Sequence, residues 1–282
     1  MIEFLDVTKK YGRTVALDDL SLNISEDGIY CLLGKNGAGK TTLMKLLAGQ
    51  NGATKGQIIV DGQNVSPSRM PAVVNFIESA SAQFNMRGSD LIDSAAGLQA
   101  EFDRDFALEM AQKFELSLDR KYKALSLGMK TMLTTIIALA NNSKIILLDE
   151  PVLGFDAIIR NQFNNLLLES YQNRPRIIIV STHLIDEIAK VTEWLIIINN
   201  GKIMLHTDLA DIDERAYTLM GPTQAVTPLL SGLNCMNTTE VGDRMLAYVY
   251  DERITPPRGV TLDRLPLQDF FIHFVGGGSS GG

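Results

Sequence analysis

The chain has 282 residues, 45% of them hydrophobic, with a formal net charge of −7 and a mean hydropathy of +0.06. That is enough chain for a large core, while the two cysteines make no disulfide framework and the acidic balance disfavours binding to nucleic acid. The richest apolar runs, at 145–148, 177–180 and 195–198, have the length of buried strands, far short of the about 20 residues a membrane span needs.

Glu3 and Asp6 stand where a secretory signal would be basic and then apolar, so a soluble chain in a reducing compartment is expected. Short β-type runs at 2–7, 15–17, 20–24, 29–33, 58–60 and 73–77 fill the first part of the chain. One helix interrupts them, opening at Gly39 with Leu43, Leu46 and Leu47 at core spacing. From about 87 to 140 the pattern is helical. Asp103 is placed to cap a segment carrying Phe106, Met110 and Phe114, and a further helix follows Ser126. From 144 to 206 strands (145–148, 177–180, 194–198, 202–206) alternate with helices (156–170, 184–190), and Asn199-Asn200-Gly201 supplies a hairpin turn. β-branched runs alternating with helices predict a parallel sheet buried on both faces. Residues 210–275 read as a small α+β appendage, and 276–282 (GGGSSGG) as a flexible linker or tag remnant.

Gly34-Lys35-Asn36-Gly37-Ala38-Gly39-Lys40-Thr41 follows the 29–33 strand and opens a helix, which is the context the pattern G-x-x-x-x-G-K-[ST] requires. Its glycines let backbone N–H groups converge on phosphate oxygens, and the helix N-terminus adds partial positive charge. Lys40 is expected to reach the β- and γ-phosphates of a nucleotide and Thr41 to ligate Mg²⁺. A second element is the apolar strand that ends in Asp149-Glu150-Pro151. It delivers two carboxylates to the strand end where open α/β sheets bind ligands. Asp149 suits the Mg²⁺ site, and Glu150 suits a base that polarises an attacking water. On its own, such a pair is more often a cap for the next helix; beside a phosphate loop the catalytic reading is the better one.

Leu125-Ser126-Leu127-Gly128-Met129 precedes a helix upstream of the acidic strand, and with it the motif order of residues 1–206 resembles the nucleotide-binding subunit of an ABC transporter. The resemblance implies a P-loop NTPase, RecA-like parallel-sheet core with an antiparallel β subdomain and a helical subdomain (about 84–140). The ATPase domain would span 1–209, followed by a C-terminal accessory domain at 210–275. It also implies that Tyr11 stacks on adenine and that Thr42 joins residues 34–41 at the phosphates. Leu153-Gly154-Phe155-Asp156 corresponds to the D-loop, through Asp156, and His183 to the γ-phosphate switch. Two ATP molecules would lie in a head-to-tail homodimer, each on one phosphate loop and under Ser126 and Gly128 of the other copy.

Two departures matter. Leu127 and Met129 replace a glycine and a glutamine of the signature, and Glu78 stands where the family usually has a glutamine reaching Mg²⁺, with Gln83 as the fallback. Both look like the variant of ABC-2-type exporters. The expected partner is therefore an integral-membrane ABC-2-type permease, with the chain held at the cytoplasmic face of the membrane. Phe84, Met86, Leu91 and Ile92 are candidate contacts for it. Peptide export or bacteriocin resistance is the implied role; the alternative is a soluble ABC ATPase acting in translation or DNA repair.

Overall fold

The computed structural model describes residues 1–78, 84–152 and 155–276, which divide into two compact units at His206/Thr207. In chain order the first unit begins β1 (Ile2–Tyr11), β2 (Thr14–Ile24), β3 (Gly28–Leu33), α1 (Lys40–Leu47), β4 (Lys55–Val60), β5 (Gln63–Asn64) and β6 (Val74–Glu78). It continues with α2 (Gly88–Leu98), α3 (Arg104–Lys113), α4 (Leu127–Ala140), β7 (Ile145–Asp149) and α5 (Ala157–Asn173). It closes with β8 (Ile177–Ser181), α6 (Ile185–Ile188), β9 (Trp194–Asn199) and all but the last two residues of β10 (Lys202–Asp208).

Two sheets form this unit. A four-stranded sheet runs in the order β2-β1-β4-β5, and a six-stranded sheet in the order β10-β9-β3-β8-β7-β6. In the second sheet, β9, β3, β8, β7 and β6 pair in parallel. Every residue of β3, β7 and β8 is buried, as a parallel sheet covered on both faces requires. One continuous core joins Phe4 and Leu22 of the antiparallel sheet to Leu43 and Leu47 of α1 and to Leu147 and Ile179 of the parallel sheet. The runs expected separately at 15–17 and 20–24 are one strand, β2. Asp19 takes a positive φ of 51° within it, and the pairing with β1 shifts register there, a bulge that leaves Leu17 and Leu20 both buried.

Between β9 and β10, Asn200 and Gly201 have φ of 48° and 75°, the left-handed pair that a two-residue hairpin favours. The helices begin where short polar side chains can accept their free N–H groups. Asp103 accepts from Phe106 N at 2.9 Å, Ser126 from Met129 N at 3.2 Å and Asp156 from Ile159 N at 2.9 Å. Each such cap is worth about 1 kcal/mol.

The second unit starts at Thr207 and holds α7 (Leu209–Arg215), β11 (Ala216–Pro222), α8 (Thr223–Leu230), β12 (Cys235–Val241), β13 (Arg244–Tyr250), β14 (Thr261–Arg264) and α9 (Leu267–Gly276). Its strands pair antiparallel in the order β12-β13-β11-β14. Tyr217, Leu219, Val226, Ala247 and Val249 form its core. α9 lays an aromatic face on it, with Phe270 edge-on to Tyr250 and the His273 ring stacked on Tyr248. α9 includes Gly276, the first residue of the stretch read as linker; the rest of that stretch, 277–282, lies outside the described residues.

Arg176 is buried and donates to Leu139 O at 2.8 Å, to Asn141 O at 3.1 Å and to the Ser170 hydroxyl. The guanidinium thus meets the carbonyl end of α4, where a cation is favourable. Burial, with the Arg174 charge adding to it, lowers its pKa to about 10. Arg176→Met removes the donors and leaves those acceptors dry, and it should cost about 2 kcal/mol, read from urea unfolding. A loss below the error of that measurement would remove Arg176 from this role.

Half-buried His206 lies beside Tyr30 and Trp194, with ring centroids at 6.1 and 5.8 Å, and burial lowers its pKa from the ordinary 6.5. The unfolded chain therefore binds more protons than the folded one just below that value. Stability is complete above pH 6.5 and declines as pH falls through it. His206→Phe should shrink the drop in Tm between about pH 7 and pH 5 that this titration causes. An unchanged drop would assign it to other groups, such as His273, which burial also lowers.

Candidate functional site

The site is built on the carboxyl ends of the parallel strands, where β3 runs into a tight loop and α1. The loop is pressed against its neighbours. A Cβ on Gly34 would stand 2.6 Å from Ile198 O, and one on Gly39, at φ 115°, would stand 2.8 Å from Ala16 O. Gly37 faces open space but has φ 80°, a backbone only glycine adopts freely. The Lys40 ammonium folds back across the loop, donating to Gly34 O at 2.7 Å, and lies 3.7 Å from Glu150 Oε1.

Sheet register aligns three further groups. Glu78 ends β6 beside Asp149, and Asp149 ends β7 beside Ser181 of β8. The Asp149 carboxylate is buried and accepts on both oxygens, from the Thr41 hydroxyl at 2.6 Å and from the Ser181 hydroxyl. The next residue, Glu150, takes φ 49°, a strained conformation for a residue with a side chain. Its N–H donates to Ser181 O and Oγ, each at 3.1 Å. That turn aims the Glu150 carboxylate between Lys40 and His183, whose Nδ1 is 2.9 Å from Oε2. A further pair joins Lys45 of α1 to Glu78, with Nζ 2.9 Å from Oε1. Beneath the loop, burial pushes the Cys31 thiol far up and the Glu150 charge adds to the effect, so Cys31 supplies no nucleophile.

Above these groups lies an open cleft of about 480 Å³, lined by Tyr11, residues 14–16, residues 35–42 and Glu150. Tyr11 is exposed at its rim; its hydroxyl accepts from Asn51 Nδ2 at 3.0 Å, and the Lys9 ammonium stands 4.9 Å from its ring centroid. The arrangement offers a flat aromatic face, a cradle of loop N–H groups and a buried lysine. Next to them are a hydroxyl–carboxylate pair of hard oxygens and a carboxylate with a histidine.

Ser126 and Gly128, expected over the nucleotide of another copy, do not line this cleft, and neither does Asp156. Ser126 and Asp156 are exposed caps, of α4 and α5, and Gly128 is packed so that a Cβ would stand 3.2 Å from Ile159 Cδ1. Leu153, Gly154 and Gln83 fall outside the described residues. A second, apolar cleft of about 520 Å³ is lined by Phe76, Phe84, Met86, Leu91, Tyr122 and Ile137, with Glu78 also among its walls. Ile92, expected with them, is wholly buried in the core instead. Lys45 has no role in the sequence reading, and Ser181 enters it only beside the switch residue His183, not as a donor to Asp149. The signal for Lys45 was its i+4 spacing from Thr41, which puts both on one helix face.

The family model described as ABC transporter matches residues 17–153. The chain is 30% identical over 210 residues to the lantibiotic transport ATP-binding protein SrtF of Streptococcus pyogenes, covering 74% of this chain and 91% of that protein. It is 33% identical to the Nod factor export ATP-binding protein I of Burkholderia orbicola, covering 98% and 97%. Among solved structures, one described as the ATP binding subunit of an ABC transporter superposes with a TM-score of 0.66 at 23% identity, over 75% of this chain and 91% of that one, which is a likeness of fold. With a phosphate loop, an acidic strand end and relatives matched over nearly their whole length, the chain belongs to the ABC transporter family as an ATP-binding, ATP-hydrolysing subunit.

Proposed function

We propose that the chain is the ATPase of an ABC-2-type exporter, working at the cytoplasmic face of the membrane beneath a separate permease. The observation that carries the catalytic part is the convergence of Lys40, Thr41, Asp149, Glu150 and His183 at one strand edge. No group of three or more His, Cys, Asp and Glu that could hold a metal occurs among the described residues. A Mg²⁺ ion held by one or two protein oxygens plus substrate phosphates fits such a site, and the Thr41–Asp149 pair provides those oxygens. Glu78, beside Asp149, is a further candidate ligand. When bound, the ion neutralises charge on the phosphate oxygens.

The rest is work for the chain's own groups. The loop N–H groups and the α1 N-terminus bind the phosphates, and Lys40 exchanges Gly34 O for phosphate oxygen. Tyr11 offers its ring to the base. Glu150 orients and deprotonates water, and His183, hydrogen-bonded to it, fixes the carboxylate's direction. Ser126 and Gly128, outside this cleft, are the groups a second copy would bring to the γ-phosphate in a head-to-tail homodimer; exposed Leu127 would lie in that contact.

No helix among the described residues is long and apolar enough to cross a membrane, so transport calls for a partner. The apolar cleft between Phe84, Met86 and Tyr122 suits an apolar segment of the permease. Relatives named for lantibiotic transport and Nod factor export support export of an amphipathic cargo, with peptide antibiotics the favoured class.

Glu150→Gln should keep ATP binding, cut turnover by about 100-fold or more, and accumulate an ATP-bound dimer on size exclusion. Turnover at the wild-type rate would strip Glu150 of its assigned role. Ala95→Arg, in the wall of the apolar cleft, should leave Tm and ATP binding unchanged while abolishing co-purification with the permease. Undiminished co-purification would move the docking face elsewhere.

A further inference from the structure

Helix α1 presents two residues one turn apart, Thr41 and Lys45, to the ends of two neighbouring strands. Thr41 donates to Asp149 at 2.6 Å, and the Lys45 ammonium lies 2.9 Å from Glu78 Oε1. Because Glu78 and Asp149 are register partners on β6 and β7, the two pairs are adjacent rungs between one helix and one sheet edge. Neighbouring parallel strands lie about 4.8 Å apart, so two carboxylates leave adjacent strand ends close enough to repel. Nucleotide phosphates would add further negative charge to the same edge. A glutamine at position 78 would bring no such charge and would need no cation beside it.

We propose that Lys45 is a positioning residue for the ATPase. Its ammonium is a counter-ion of Glu78 and holds the carboxylate beside Asp149, where Glu78 would be one of the groups able to hold a Mg²⁺ ion that came with ATP. The inference rests on the nucleotide reading of the cleft. Lys45 and Glu78 act as a unit, and the pair sets how strongly ATP affinity depends on Mg²⁺. The pair is part-exposed, with side-chain exposures of 28% and 37%, so separating the two groups needs no opening of the core. Glu78 also lines the apolar cleft, so whatever fills that cleft meets the same carboxylate.

The test is a double-mutant cycle on the full chain, with ATP affinity measured by calorimetry in EDTA and in saturating Mg²⁺. Lys45→Met should weaken ATP binding in EDTA by about fivefold, the scale of a part-exposed ion pair, and by much less in Mg²⁺. Lys45→Arg should bind like the wild type, because the charge remains. Lys45→Met combined with Glu78→Gln should return close to wild-type affinity in EDTA, so the two changes are strongly non-additive. Equal weakening with and without Mg²⁺, or losses that simply add in the double variant, would overturn the proposal and leave Lys45 a structural residue. Thermal unfolding of each variant separates these outcomes from misfolding, and Lys45→Arg keeps the test open if the Met variant is unstable. A wild-type chain that binds no ATP in either condition would overturn the nucleotide reading itself, and this inference with it.

Discussion

The Asp149 carboxylate is the point on which the site depends. It is buried, and burying a charge is costly unless each lone pair finds a donor. Here the donors come from both sides: the Thr41 hydroxyl on α1 and the Ser181 hydroxyl on β8. These hydrogen bonds fix the phosphate loop, which runs directly into α1, relative to the strand that delivers Glu150. A loop of glycines alone would have no defined distance from the acidic strand end; the Thr41–Asp149 bond supplies that distance.

The same edge concentrates strain and compensation. Glu150 sits at a φ that costs about 1–3 kcal/mol for a residue with a side chain. Its N–H finds two acceptors on Ser181, and its carboxylate finds Lys40 and His183. The strain turns the side chain off the strand direction and into the cleft that Lys40 and the loop define. Further from the chemistry, buried Arg176 meets the carbonyl end of α4, whose other end carries Ser126. One helix thereby runs from a buried guanidinium at its carbonyl end to an exposed serine cap at its start.

Much of this was legible in the residues. The phosphate loop, the strand before it and the helix after it follow from the glycine spacing and the apolar pattern. Asp103, Ser126 and Asp156 lie where helices begin because short polar side chains compete poorly inside helices and well at their starts. Less legible was whatever depended on partners remote in the chain. The Asp19 bulge merges two expected strands because its register is set against β1. Ile92 reads like its apolar neighbours Leu91 and Met86 and yet, unlike them, does not reach the apolar cleft, since periodicity ranks apolar faces without saying which one meets another element.

By itself the sequence determined the glycine-rich loop between strand and helix, the acidic strand end and the alternation that yields a doubly covered parallel sheet, because each rests on local spacing. Tertiary structure alone decided that Glu78, Asp149 and Ser181 stand side by side and that Lys45 faces Glu78. Strand register is the physical reason. A shift of one residue in any of these parallel strands reverses which face each side chain takes. No local spacing encodes that register; it is set by packing all the strands and α1 into one core.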